Sequence, residues 1–269
     1  MRIRASSWGE LFDCAHRWEG KYLLGITGPA TGAAHLGTSI HRGTAAYDAA
    51  KLDEHPISIA NAVDCFVDTL HNPTQDIRRV ENDLTPRDAE MIGMNLVTRY
   101  CMDVSPLYKF KAVEMTIKPF TITVGSQSIE LSGTMDRARV SETNNGVGIS
   151  DVKTGKRAVE RGCAKVAGHH LQLGIYELLA EHSLGLKITA PAEIIGLQTS
   201  QNPKIGISQV PDATAGLIGT AQEPGLIEMA AGMLQSGLFP PNPSSMLCHP
   251  TYCPRWSVCL YRSRKRVET

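Results

Sequence analysis

The chain has 269 residues, with 27 basic and 27 acidic side chains, 42% hydrophobic residues, 24 glycines and 15 prolines. That balance describes a globular chain able to bury one large core or two modest ones, and excludes disordered, collagen-like and low-complexity classes. No apolar run is long enough to cross a bilayer, and the N-terminal MRIRASSWGELFDC lacks the apolar stretch and small-residue cleavage site of a secretory signal. The expectation is a soluble, cytoplasmic protein of a bacterium or a phage-infected host.

A first helix is predicted from about Ser6 to Leu24, with Leu11, Cys14, Ala15, Trp18 and Tyr22 on one face. Gly25 to Gly37 is rich in turn formers and reads as a loop. Helices are then predicted over Leu36–Leu52, Ser58–Leu70 and Thr85–Met102, the last with Pro86 in its first turn. Next, Lys111–Val124 and Ser128–Val140 are β-branched and partly alternating around a Gly125-Ser126-Gln127 turn. The turn signal Asn144-Asn145-Gly146 leads to a third strand, Val147–Lys153. A helix over Cys163–Leu184, a buried strand over Ala192–Thr199 and a helix over Gly216–Ser236 complete the reading. With no repeat and no linker, the chain reads as one α+β domain: a helical portion (1–110), a core (111–200) and a Cys-rich segment (237–269).

Charged residues inside otherwise apolar strands carry the chemistry. Asp136 lies in Gly-Thr-Met-Asp-Arg, and Asp151-Val152-Lys153 ends the next strand fifteen residues later. Side chains alternate along a strand, so Asp151 and Lys153 share a face. Pairing of the two strands around the Asn-Gly turn would set Asp136 beside Asp151. Two adjacent carboxylates repel unless a cation neutralises them, and an oxygen-rich site of this kind favours Mg²⁺ or Mn²⁺. Lys153 could then position or deprotonate a water and stabilise charge on a phosphate. The bland alternative pairs Asp136 with Arg137 or Arg139, and Asp151 with Lys153, as surface ion pairs.

The run SGTMDR, followed by GISDVKTGK and then by HLQLGIY, resembles the core of the PD-(D/E)XK nuclease superfamily, in particular its RecB-type branch. The resemblance implies a restriction-endonuclease-like α/β/α fold with a central mixed sheet. It implies a metal-dependent DNA nuclease, of exonuclease type, serving recombination, repair or phage DNA processing. The site it implies has Lys153 with Asp136 and Asp151, plus Gln172 and Tyr176 four residues apart on a helix face. His41, in Gly37-Thr38-Ser39-Ile40-His41-Arg42, matches the family's N-terminal histidine and is carried over as a metal ligand, with Asp136, Asp151 and the Val152 carbonyl. Glu114 matches a further acidic residue of the active-site neighbourhood. His35, nearly opposite His41 on a helix, stays outside.

Cys248, Cys253 and Cys259, with Cys14 far upstream, resemble the cysteines of iron–sulfur RecB-type nucleases, which place one near the N-terminus and three near the C-terminus. The first C-terminal gap, four residues, is longer than the family's usual two, whereas the second gap of five is kept. Four thiolates suit a [4Fe–4S] cluster, or a structural Zn²⁺ for which His249 offers another ligand. Cys65 and Cys101 read as buried helix residues. DNA ends or single strands are the expected partner, with a recombination or helicase partner possible. Arg137 and the basic segment with Arg255, Arg262, Arg264, Lys265 and Arg266 are candidate phosphate contacts. A catalytically weak DNA-binding accessory module and a nuclease acting on RNA are the rival readings.

Overall fold

The computed structural model describes residues 1–80, 83–141 and 146–262. Residues Asn144 and Asn145 of the expected turn, and Arg264, Lys265 and Arg266 of the basic segment, lie outside the described residues.

The elements run β1 (Arg2–Arg4), α1 (Trp8–Asp13), α2 (Ala15–Tyr22), β2 (Ala30–Thr31), α3 (Gly32–Leu52), α4 (Ile59–His71), β3 (Ile77–Arg78) and α5 (Pro86–Arg99). They continue with β4 (Phe110–Val124), β5 (Gln127–Val140), β6 (Val147–Gly155), β7 (Val159–Glu160), β8 (Cys163–Ala164), α6 (His170–Leu184), β9 (Ala192–Gln198), β10 (Ile205–Val210) and α7 (Leu226–Ser236). Local chemistry sets several boundaries. Thr31 caps α3 by accepting from the Ala34 amide, and Ser58 and Asn61 form a capping box on α4. Thr85 caps α5, with Pro86 in the first turn.

One mixed sheet holds the molecule together, in the order β1-β5-β6-β9-β10, with β4 on the other edge of β5. β4/β5, β5/β6 and β9/β10 are antiparallel, whereas β1/β5 and β6/β9 are parallel. The short pairs β2/β3 and β7/β8 lie outside it. Alternation sends side chains to two cores. Trp8, Leu11, Trp18, Leu131, Ile149, Leu173, Ile194 and Ile227 pack on the face covered by α1, α2, α6 and α7. Ile40, Phe66, Leu96, Tyr100, Val152 and Ile195 pack on the face covered by α3, α4 and α5. β9 feeds both faces, which is why its sequence reads as a continuous apolar run. The fold is α+β, in three layers with a restriction-endonuclease-like mixed sheet at the centre.

Several elements depart from the sequence reading. The first helix is broken at Cys14, whose extended backbone (φ −150°, ψ 93°) separates α1 from α2. The N-terminal portion also contributes β1 to the central sheet. Cys163 sits in a strand and α6 begins only at His170, because Gly168 adopts a positive φ. β10 has no counterpart in the sequence reading, since Gly206 interrupts its alternation. Its glycine is required: a Cβ there would lie 2.8 Å from the Cys163 carbonyl carbon. Cys65 lies in α4 but is exposed rather than buried, while Cys101 is buried as expected and its thiol is pushed up to about 12, mainly by burial. Among the described residues, no helix is long and apolar enough to cross a membrane.

Candidate active site

The site forms where β5 changes partner. Along one edge β5 pairs with β6 from Val140 to Arg137, and with β1 from Ser132 to Glu130. Between these ladders β6 turns away toward β9, and the fork opens at Asp136 and Asp151. Asp136 Oδ2 accepts the Val152 N–H at 2.8 Å, which occupies an amide that the β5/β6 ladder leaves free. Within a strand a residue's N–H and C=O point to the same side, so the Val152 carbonyl also faces the fork.

α3 brings His41 to the fork. Its Nδ1 lies 3.6 Å from Asp136 Oδ2. The helix approaches closely because Gly37 packs on β6; a Cβ there would lie 2.4 Å from Thr154 Oγ1. Glu114 enters from β4, between the pairs Val113–Arg137 and Met115–Met135. Its φ of 47° is left-handed, a conformation that costs a non-glycine residue about 1–3 kcal/mol. Ligand atoms of His41, Glu114 and Asp136 all lie within 4.8 Å of one another. Burial and the negative charge of Asp136 push the Glu114 carboxyl up, against the pull of Arg137.

Asp151 and Lys153 lie on the β6 face toward α6, as alternation requires. Lys153 Nζ is 2.5 Å from Asp151 Oδ2, and Gln172 Nε2 donates to Asp151 Oδ1 at 3.1 Å and to the Tyr176 hydroxyl at 3.0 Å. Asp151 is 1% exposed. Burial first, then repulsion from Asp136, pushes its carboxyl up to about 6, although Lys153 works in the opposite direction. Burial alone would lower the Lys153 ammonium, but Asp151 and Asp136 outweigh it and raise its pKa. The raised pKa favours the charged, hydrogen-bond-donating form of Lys153. Tyr176 is held as a phenol, its pKa raised chiefly by burial.

A buried network lies beneath. Arg137 is fully buried on the opposite face of β5 from Asp136. Its Nη1 donates to Glu114 Oε1 at 3.1 Å and to the Asp136 carbonyl at 2.8 Å, and its Nε donates to Asp48 Oδ2 at 2.6 Å. Asp48 also accepts from the Tyr100 and Ser105 hydroxyls, each at 2.6 Å. Arg137 therefore has no face for a phosphate, and its assignment as a DNA contact is corrected. Sequence reasoning missed Asp48, although Asp48 and His41 are seven residues apart on α3 and so share one side of it. It also missed His169, whose imidazole is lowered to about 4 by burial and by Lys153, Lys165 and His170. His35 accepts no role at the fork; its Nε2 meets the Leu70 carbonyl at 3.0 Å.

The donor set fits a hard divalent cation. Asp136 and Glu114 offer oxygens and His41 a nitrogen within 4.8 Å of one another, whereas Asp151 lies outside that group with its two oxygens engaged by Lys153 and Gln172. Burial first, and then the charge of Asp136, raises the Glu114 and Asp151 carboxyls, and a cation would relieve the repulsive part.

At the other end of the N-terminal helices, Cys14, Cys248, Cys253 and Cys259 line one small pocket, together with Arg17 and Tyr261. The break at Cys14 turns its sulfur toward this pocket, where Sγ accepts the Asn242 N–H at 3.4 Å. Asn242 Nδ2 to the Asp13 carbonyl (2.9 Å), Ser245 Oγ to Asp13 (2.5 Å) and Arg255 to Glu19 (2.7 Å) staple the two chain ends. Nε and Nη1 of Arg17 are buried without a hydrogen-bond partner, so the pocket is suited to an anionic group. His249 Nδ1 accepts the Thr251 N–H at 3.2 Å, and His249 is not among the residues lining the pocket.

The sequence profile of the PD-(D/E)XK nuclease superfamily matches residues 5–260. No curated protein matches the chain. Among solved structures, one described as "Putative exonuclease" from Eubacterium rectale aligns at a TM-score of 0.54 and 13% identity, over 92% of this chain and 86% of that one. A crystal structure of SSO0001 aligns over 93% of this chain and 95% of that one, at 12% identity and a TM-score of 0.38, below the level at which a shared fold follows.

Proposed function

Since the chain belongs to the PD-(D/E)XK nuclease superfamily, we propose that it hydrolyses DNA phosphodiester bonds at the fork between β5 and β6, acting as an exonuclease with Mg²⁺ or Mn²⁺. The observation that carries this reading is the convergence of Asp136, Asp151 and Lys153 there. His41, Asp136, Asp151 and the Val152 carbonyl would hold the cation, with Glu114 beside them. When bound, the cation supplies Lewis acidity and charge neutralisation at the phosphate. The protein's own groups do the rest. Lys153, held as an ammonium, orients the attacking water and balances the charge that builds on the phosphate oxygens. Gln172 fixes the Asp151 carboxylate and the Tyr176 hydroxyl in one hydrogen-bonded row. Arg137 holds Glu114 and the Asp136 backbone in register.

Exonuclease action is supported by the RecB-type resemblance, and a cytoplasmic role with a recombination or helicase partner follows from the same resemblance. The four pocket cysteines are proposed to hold a [4Fe–4S] cluster. A structural Zn²⁺ on the same four thiolates is the alternative. The test is cleavage of end-labelled linear DNA, of covalently closed circular DNA and of RNA, with Mg²⁺, Mn²⁺ or EDTA. Linear DNA should be degraded and the closed circle spared, and Asp151→Asn and Lys153→Ala should each abolish cleavage while keeping the wild-type circular dichroism. Full activity in either variant would refute the assignment.

A further inference from the structure

A cleft of about 580 Å³ lies between α2, the segment leading into α3, β3 and the Cys-rich segment. We infer that it is the path by which a single DNA strand reaches the fork. For the identity of its ligand this inference rests on the nuclease reading above. The lining presents Lys21 and Arg78 as cations, beside Arg17, whose guanidinium faces Glu10 and the cysteine pocket, and none of the lining residues carries a carboxylate. Glu10 holds Arg17 and Lys21 from behind, at 3.4 and 2.9 Å. Arg78 is exposed, and its Nη2 donates to the Thr251 carbonyl, which ties the two walls together. Tyr252, 47% exposed and braced by the His249 ring 5.7 Å away, offers an aromatic face between Pro250 and Pro254. Cations that track a backbone, combined with a stacking ring, are the elements of sequence-tolerant single-strand binding. The volume falls within the ~300–1,000 Å³ that takes a drug-sized ligand, which suits one or two nucleotides and not a duplex turn.

The cleft is joined to the fork by α3. Thr31 and Ala34 line the cleft, and His41 stands at the fork. Ala34, Thr38 and His41 follow at intervals of four and three residues on one helical face, the first two exposed and His41 partly so. From Thr31 to His41 is ~15 Å along the helix, a distance that a few nucleotides cover.

The experiment measures binding of a fluorescent single-stranded oligonucleotide by anisotropy in EDTA, where no cleavage intervenes. Arg78→Ala should weaken binding severalfold and reduce the salt slope by about 1, and Tyr252→Ala should weaken it at least about fivefold with the slope unchanged. Gln75→Lys, at the exposed rim, should tighten binding and steepen the slope, so a folding defect cannot imitate the result. Lys118→Ala, a cation on β4 outside the cleft, should leave the affinity as it was. Equal affinities and slopes across all four variants, or tighter binding of a blunt duplex than of the single strand, would overturn the cleft assignment. Variant-dependent binding by a wild-type protein that cleaves no DNA would uphold the cleft and refute the nuclease reading instead.

Discussion

The guanidinium of Arg137 and the carboxylate of Asp48 form an ion pair at 2.6 Å in which both side chains are fully buried. Through it α3 and β5 are locked together directly beneath Glu114 and Asp136. Removing Asp48 leaves the buried guanidinium of Arg137 without its buried counter-charge, with the more exposed Glu114 still in contact, and also strips the Tyr100 and Ser105 hydroxyls of their acceptor. Asp48→Ala should therefore cost about 3–5 kcal/mol, read as a lower urea midpoint with unchanged slope. A loss below about 1 kcal/mol would show that the pair is not desolvated as the structure has it.

Asp151 makes the site sensitive to pH. Its folded carboxyl, at about 6, stands above its unfolded value, so the folded state binds more protons between roughly pH 4 and 6. Its contribution is least unfavourable below pH 4, and stability is lost as pH rises through 6, by on the order of 3 kcal/mol in metal-free protein. Asp151→Asn should flatten this slope. Divalent cations, which need the ionised carboxylate, should stabilise the protein more at pH 7.5 than at pH 5. Thermal melts in EDTA and in Mn²⁺ across that range check both signs; a cation effect that grows toward acid would contradict them.

Gln172 acts on the site through Asp151 and Tyr176. Gln172→Ala frees one oxygen of a buried carboxylate, and outer partners of this kind typically contribute ~10- to 100-fold in metal affinity or activity. The expected result is a loss of that size in Mn²⁺ affinity, measured by calorimetry, with a smaller change on Gln172→Glu at acidic pH, where the new carboxyl can still donate. An unchanged affinity would reduce Gln172 to a packing residue.

The pocket of Cys14, Cys248, Cys253 and Cys259 also forms one wall of the basic cleft, since Cys253 lines both. Anaerobically purified protein should be brown and contain iron and acid-labile sulfide, and Cys14→Ser should lose both. The same variant should become more sensitive to proteolysis within 237–262, because that segment would then be held without the cluster, by hydrogen bonds such as those to Asp13, His16, Glu19 and Arg78. Stoichiometric zinc with no iron would replace the cluster.

The residues that carry local or short-range information were legible before any coordinates. Ser58, Thr85 and Pro86 mark helix starts by satisfying or omitting amides at those positions. The alternation in Asp151-Val152-Lys153 fixes which side chains share a face, and Gln172 and Tyr176 follow from helical spacing. The roles of Arg137 and Asp48 were not legible. An arginine in a strand looks the same in sequence whether it faces solvent or a buried carboxylate 89 residues away. The break at Cys14 was hidden for the same reason: helical periodicity runs on through it, and only the distant Asn242 and the C-terminal cysteines reward turning that sulfur outward.

By itself, then, the sequence determined most of the helices and the long strands, and the acidic and basic groups available for chemistry, because capping and periodicity act within a turn or two of chain. The tertiary structure decided where β6 leaves β5 for β9, and with that fork which charges meet as ligands and which, like Arg137, are sealed beneath them. Those choices depend on long-range strand pairing and on desolvation, neither of which is written in the spacing of neighbouring residues.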